Sequence, residues 1–211
     1  MITKEPNFLI ILSAPSGGGK STILSRIREL YPKVEYSISY TTRPPRGVEV
    51  DGVHYHFVSE AEFLQRKQQG DFLECAQVFG NWYGTSISYI QSQLKAGKHV
   101  IMDIDVQGAH QIGETEVPCI RIFILPPSLE VLEARLRARG TDSPQEIQKR
   151  LSEAEAELQR LPEYQYLVIN DVLENAVDDV LNIIKAEENK MCRYKDPALT
   201  FLGEKHDRQK D

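Results

Sequence analysis

The sequence predicts an α/β fold, a parallel sheet flanked by helices, from three observations. Short apolar runs rich in β-branched residues at 8–13, 99–104, Cys119–Leu125 and Tyr166–Ile169 are strand-sized and continuous, as strands buried on both faces are. Segments of helical spacing lie between them. The first run leads directly into a glycine-rich loop and then a helix, Lys20–Leu30, with apolar residues at Ile23, Leu24, Ile27 and Leu30.

Elsewhere the boundaries are set by caps and breaks. Ser59 with Glu62 reads as a capping box, and Ser143-Pro144-Gln145-Glu146 combines an N-cap, an N1 proline and an N3 glutamate. Between 34 and 79 the pattern changes to short alternating stretches broken at Pro44-Pro45, predicting a strand-rich lobe inserted on the sheet. The charged segment 129–160, interrupted at 140–142, predicts a helical hairpin that serves as a lid. The division expected is one domain over 6–190, with core 6–33, 91–127 and 162–190, lobe 34–90 and lid 128–161, followed by a polar tail, 191–211, disordered from 204 onward.

Composition narrows the function classes. At 211 residues and 41% hydrophobic, the chain is long enough to bury a substantial core. No apolar run approaches the roughly 20 residues needed to span a bilayer, and the first six residues lack the basic and apolar parts of a signal peptide, so a soluble cytoplasmic protein with no membrane partner is expected. Cys75, Cys119 and Cys192 are odd in number and far apart, which favours free thiols. A net charge of −6 argues against nucleic acid as a partner, so any anionic ligand must meet locally concentrated arginine and lysine.

The loop Ala14-Pro15-Ser16-Gly17-Gly18-Gly19-Lys20-Ser21 supplies such a place. Successive glycines let backbone N–H groups converge on phosphate oxygens, and the helix that follows adds its positive N-terminal dipole. Lys20 reaches the β- and γ-phosphates, and the Ser21 hydroxyl joins the coordination of Mg²⁺. Ala14 departs from the generic motif, which has glycine there. These features predict a phosphotransferase. Asp103, at the end of a strand, is the candidate carboxylate that holds Mg²⁺ through water. Asp105-Val106-Gln107-Gly108 spells the D-x-x-G of a GTPase switch, but no N-K-x-D segment reads a base; the nearest is Asn170-Asp171. His54 and His56 share a strand face without a third ligand and read as a solvated face rather than a metal site.

Together with the loop, Ser39-Tyr40-Thr41-Thr42-Arg43-Pro44-Pro45-Arg46, Glu74, Asn81-Trp82-Tyr83-Gly84-Thr85, Asp103-Ile104-Asp105, Gln107-Gly108, Pro126-Pro127-Ser128 and the arginines at 135–150 make the chain resemble the guanylate kinases over residues 8–187. In Arg46-Gly47-Val48-Glu49 the glycine falls one place earlier than the family pattern. The resemblance implies a P-loop enzyme transferring the γ-phosphoryl group of ATP to GMP, and to dGMP, with Mg²⁺. The lobe is then GMP-binding, with Arg43, Arg46, Tyr55 and Tyr83 on the phosphate and Glu74, Ser39, Thr85 and Asp105 on the base. A carboxylate accepts guanine N1–H and N2–H together, whereas adenine presents an acceptor at N1. Residues 14–21, Thr22 and Arg135 are implied on ATP, and Lys20, Arg46, Arg139 and Arg150 on the transferring group. Homo-oligomerisation stays open. The alternatives are a kinase for another small phosphorylated acceptor on the same fold, or a non-catalytic guanylate-kinase-like binding module. The intact Lys20, Ser21, Asp103 and lid arginines speak against the second.

Overall fold

The computed structural model describes residues 3–4, 7–78, 80–140 and 142–202. Along the chain run β1 (Thr3–Lys4), β2 (Leu9–Ser13), α1 (Lys20–Leu30), β3 (Val34–Tyr36), β4 (Tyr40–Thr41), β5 (His56–Phe57), α2 (Glu60–Gln68), β6 (Phe72–Val78), β7 (Asn81–Ser86), α3 (Ile87–Lys95), β8 (His99–Asp103), α4 (Val106–Gly113), β9 (Cys119–Leu125), α5 (Leu129–Ala138), α6 (Pro144–Leu158), β10 (Tyr166–Ile169), α7 (Leu173–Glu188), β11 (Tyr194–Lys195) and α8 (Pro197–Leu202).

The expected α/β architecture forms around β2. All five of its side chains are buried because helices cover both faces of the sheet it centres. Phe8, Ile10 and Leu12 pack on Ile23 and Ile27 of α1 and Val180 and Ile184 of α7, while Leu9 and Ile11 face Ile90 of α3 and Ile112 of α4. The two-residue strand period thus sorts one apolar run into two cores, each buried Ile or Leu contributing about 1.5–3 kcal/mol. The sheet order is β10-β9-β2-β8-β3, parallel throughout. Since β8 and β9 flank β2, the crevice beyond their carboxyl ends is a topological switch point, where α/β sheets place ligands. Leu12 pairs with Asp103, so the register alone sets that carboxylate beside the glycine-rich loop.

The inserted lobe has its own four-stranded sheet, order β5-β4-β7-β6, and a small aromatic core in which Phe63 of α2 stacks on Phe72 at 4.5 Å and on Trp82 at 5.8 Å. The structure moves its expected start at 34: Val34–Tyr36 pairs in parallel with His99 to Ile101 as the edge of the core sheet. Three residues are too few to display a two-sided buried pattern in sequence. Ser59 caps α2 through Glu62 N–H, but Glu62's carboxylate turns to Arg66, so only half of the expected capping box forms. The box at Ser143 and Glu146 is complete. Helices α5 and α6 enclose a third core of Leu132, Leu136, Ile147, Leu151 and Ala154.

Of the segment read as a polar tail, residues 191–202 are folded, with β11 pairing antiparallel to β1. Charge rather than apolar period anchors it: Glu187, buried at the end of α7, accepts from Arg193 and Tyr166 and pairs with Lys190. The expectation of disorder from 204 lies outside the described residues. Among the described residues, no helix is long and apolar enough to cross a membrane.

Candidate active site

The loop after β2 needs glycine where it turns. Gly17 and Gly19 have φ of 94° and 91°, the left-handed region that side chains resist, and Gly19 caps α1. Gly19 is bound twice over, because a Cβ there would come 2.1 Å from Asn170 Nδ2. That amide donates to the Gly18 carbonyl at 2.8 Å. Ala14 packs against the core beneath the loop and also borders the cradle. A cavity of about 270 Å³ opens over the loop, lined by residues 14–22 together with Asp103 and Arg139.

A second cavity, about 330 Å³, lies between the lobe and the core sheet. Ser39, Arg46, Tyr55, Glu74 and Tyr83 reach it from the lobe, Asp105 and Ile104 from the end of β8, and Arg150 from the lid. Lys20 and Asp103 border both cavities. Their charged groups stand 3.8 Å apart. Tyr36, on the edge strand β3, donates to Asp103 Oδ1 at 2.6 Å and so orients the carboxylate, while burial and that negative neighbour push its own phenol well up.

Glu74 is 5% exposed and accepts from Thr85 Oγ1 at 2.7 Å. Burial pushes its carboxyl up to about 7 against the Thr85 hydrogen bond, and the charge of Asp105 adds to the rise. Thr85, expected on the base, is fully buried behind Glu74 and does not line the cavity. Arg43 is likewise set back: Glu49 takes Nη1 and Nη2 at 2.9 Å each, and Nε donates to Tyr83 Oη at 3.2 Å. This paired fork holds the Glu49 carboxyl down at about 2, and the guanidinium tethers the tyrosine that faces the cavity. The D-x-x-G segment opens a helix, since Asp105 Oδ1 accepts from Gln107 and Gly108 N–H as the cap of α4.

On the lid, Arg139 at the end of α5 reaches the loop cavity. Arg150 Nη1 donates to Ser16 Oγ at 2.5 Å, and its Nε lies 3.1 Å from Asp142 Oδ2. Arg135 donates to the Asn170 carbonyl at 2.8 Å, supporting the loop through Asn170 rather than lining its cavity. Asn170 and Glu49 carry no site role in the sequence motifs, and nothing in the sequence marks Tyr36 or Glu157. Glu157, on α6, is pushed up to about 7 by burial against the pull of Lys20. His54 accepts from Val50 N–H and His56 packs on Tyr40, and among the described residues no group of three or more His, Cys, Asp or Glu could hold a metal on its own.

A glycine cradle with its lysine, placed at the switch point of a parallel sheet and sharing that lysine with a second polar cavity under an arginine-bearing lid, defines a P-loop kinase. The chain belongs to the guanylate kinase family, whose model matches residues 7–187. It is 46% identical over 179 residues to the guanylate kinase of Chromobacterium violaceum, covering 85% of each chain. With that of Hahella chejuensis it shares 48% over 183 residues, 87% of this chain and 88% of the relative. The crystal structure of guanylate kinase from Anaplasma phagocytophilum superposes with a TM-score of 0.74 at 32% identity, covering 90% of both chains.

Proposed function

We propose that the loop cavity takes ATP, the lobe cavity takes GMP or dGMP, and the γ-phosphoryl group passes between them beside Lys20. The observation that carries this reading is that Lys20 and Asp103 border both cavities, so two phosphates bound there would meet at a shared wall. Residues 37–86 form the acceptor lobe in this assignment, and 128–161 the lid.

On the donor side the loop amides and the α1 N-terminus hold phosphate oxygens, with Arg139 and Arg150 above. The Ser21 hydroxyl and the Tyr36-held Asp103 carboxylate are hard oxygen donors suited to Mg²⁺, which needs only one or two protein groups besides substrate phosphates. When bound, Mg²⁺ supplies positive charge across the β- and γ-phosphates. On the acceptor side Arg46, Tyr55 and Tyr83 converge on the phosphate, Arg43 steadying Tyr83 from behind. Glu74 accepts guanine N1–H and N2–H. Asp105 spends only Oδ1 on its cap, leaving Oδ2 to serve the base. These contacts address base and phosphate and not the sugar 2′-hydroxyl, hence dGMP as well as GMP. The acceptor phosphate, with a second pKa of about 6, is already largely ionised at neutral pH, so no general base is required. The residues' task is to hold two polyanions together and keep water out.

Incubation with γ-labelled ATP and a panel of GMP, dGMP, AMP, UMP and sugar phosphates tests the reading. Label is expected in GDP and dGDP; transfer confined to another acceptor, or release as inorganic phosphate alone, overturns it. Residence in the cytoplasm belongs to the same proposal and is supported by the free thiols of Cys75, Cys119 and Cys192, which suit a reducing compartment.

A further inference from the structure

We propose that Gln111 is a positioning residue for base recognition: from α4 it fixes the strand that carries Glu74, and so sets where that carboxylate meets the acceptor. This rests on the reading of Glu74 as the group that reads guanine.

Strand β6 is the outermost strand of the lobe sheet, so among the described residues one of its edges has no partner strand. The side-chain amide of Gln111 fills that edge at Cys75, next to Glu74. Cys75 N–H donates to Gln111 Oε1 and Gln111 Nε2 donates to the Cys75 carbonyl, both at 3.2 Å. One side chain thereby supplies the pair of bonds that a neighbouring strand would supply at that residue. One turn earlier on the same helix face, Gly108 lies under Glu74, where a Cβ would stand 2.9 Å from Oε2. On the opposite edge of β6 the pairing with β7 slips in register between Phe72 and Glu74, so Glu74 is the first residue of the regular ladder that runs on to Val78, next to an irregularity at Leu73. The same helix begins at Asp105, the other carboxylate on the cavity wall. Gln111 therefore ties the lobe carboxylate to the core carboxylate across which the base must fit.

The chemistry singles out the two-donor edge of guanine. Both N1–H and N2–H are satisfied only if the Glu74 oxygens sit at one height against the base, whereas hypoxanthine, lacking the N2 amine, tolerates a displaced carboxylate better. Loss of the amide should fall on the acceptor and spare the donor.

Gln111→Leu and Gln111→Met, both of similar size at a half-buried site, are compared with Glu74→Gln by steady-state kinetics on GMP, IMP and ATP. Two lost hydrogen bonds should raise the KM for GMP about tenfold. Preference for GMP over IMP should fall with it, while kcat and the KM for ATP stay within about twofold. Adding Gln111→Leu to Glu74→Gln should bring little further loss. Wild-type GMP kinetics in both Gln111 variants, with preference lost in Glu74→Gln, overturns the role of Gln111 and leaves the base reading intact. Unchanged preference in Glu74→Gln overturns both. A parallel rise in both KM values with a lowered melting temperature assigns Gln111 a structural role only and overturns the proposal.

Discussion

Lys20 Nζ stands 3.8 Å from Asp103 Oδ2, joining the loop after the central strand to the end of its neighbour at the boundary of two cavities. Under the proposed function Lys20→Ala and Arg46→Ala should lower kcat by about 10²-fold or more, because each would remove charge aimed at the transferring group. Circular dichroism and thermal melts should show both folded, since neither side chain supports a core. Turnover near wild type in either variant would remove that residue from the mechanism.

Tyr36 lies 67 residues from Asp103 in sequence and aims its carboxylate through a 2.6 Å hydrogen bond. Tyr36→Phe should raise the Mg²⁺ concentration for half-maximal turnover by about tenfold, as loss of an outer-shell partner does. A magnesium titration at saturating ATP and GMP measures it, and an unchanged midpoint rules the orienting role out.

Gly19→Ala meets a left-handed backbone at φ 91° and Asn170 Nδ2 at 2.1 Å. The backbone strain alone should cost about 1–2 kcal/mol, and nucleotide binding should be lost. Asn170→Ala added to it removes the collision, so the double variant should melt higher than Gly19→Ala alone. No recovery would show that the amide yields freely.

Burial holds the Glu74 carboxyl up at about 7, above its ordinary value of 4.5. In the proposed role its ionised form accepts the guanine donors, so affinity for GMP should be gained as pH rises through 7 and lost as pH falls below it. The KM for GMP should drop by about tenfold between about pH 6 and pH 8 and GMP binding should release a proton, the linkage expected of one group titrating near 7. Glu74→Gln flattens the profile apart from the titration of the GMP phosphate. A pH profile identical in the two proteins contradicts the assignment.

The central sheet, the glycine loop and the lid helices were legible because each is written in adjacent residues: continuous apolar runs, a run of glycines, an N-cap with its N1 proline. Residues aimed at the cavity, such as Arg46, Glu74 and Arg150, were visible through the ordered motifs. What escaped is the layer that holds them. Asn170 supports Gly18 across 152 residues, and Arg43, placed by motif on the phosphate, is drawn back by a glutamate only six positions on, with no local pattern to mark it. Thr85, placed by motif on the base, donates to Glu74 from the buried side, a pairing that no local pattern marks. Val34–Tyr36 and residues 191–202 were misplaced because short strands anchored by pairing and charge carry too little period to read.

Acceptor selectivity bears most directly on the function proposed here. With ATP as donor, kcat/KM for GMP should exceed that for AMP by about 10⁴ or more, since a buried site built for two base donors leaves its carboxylates unpaired against adenine. A ratio near one, or a preference for AMP, would contradict the assignment of the lobe cavity to guanine.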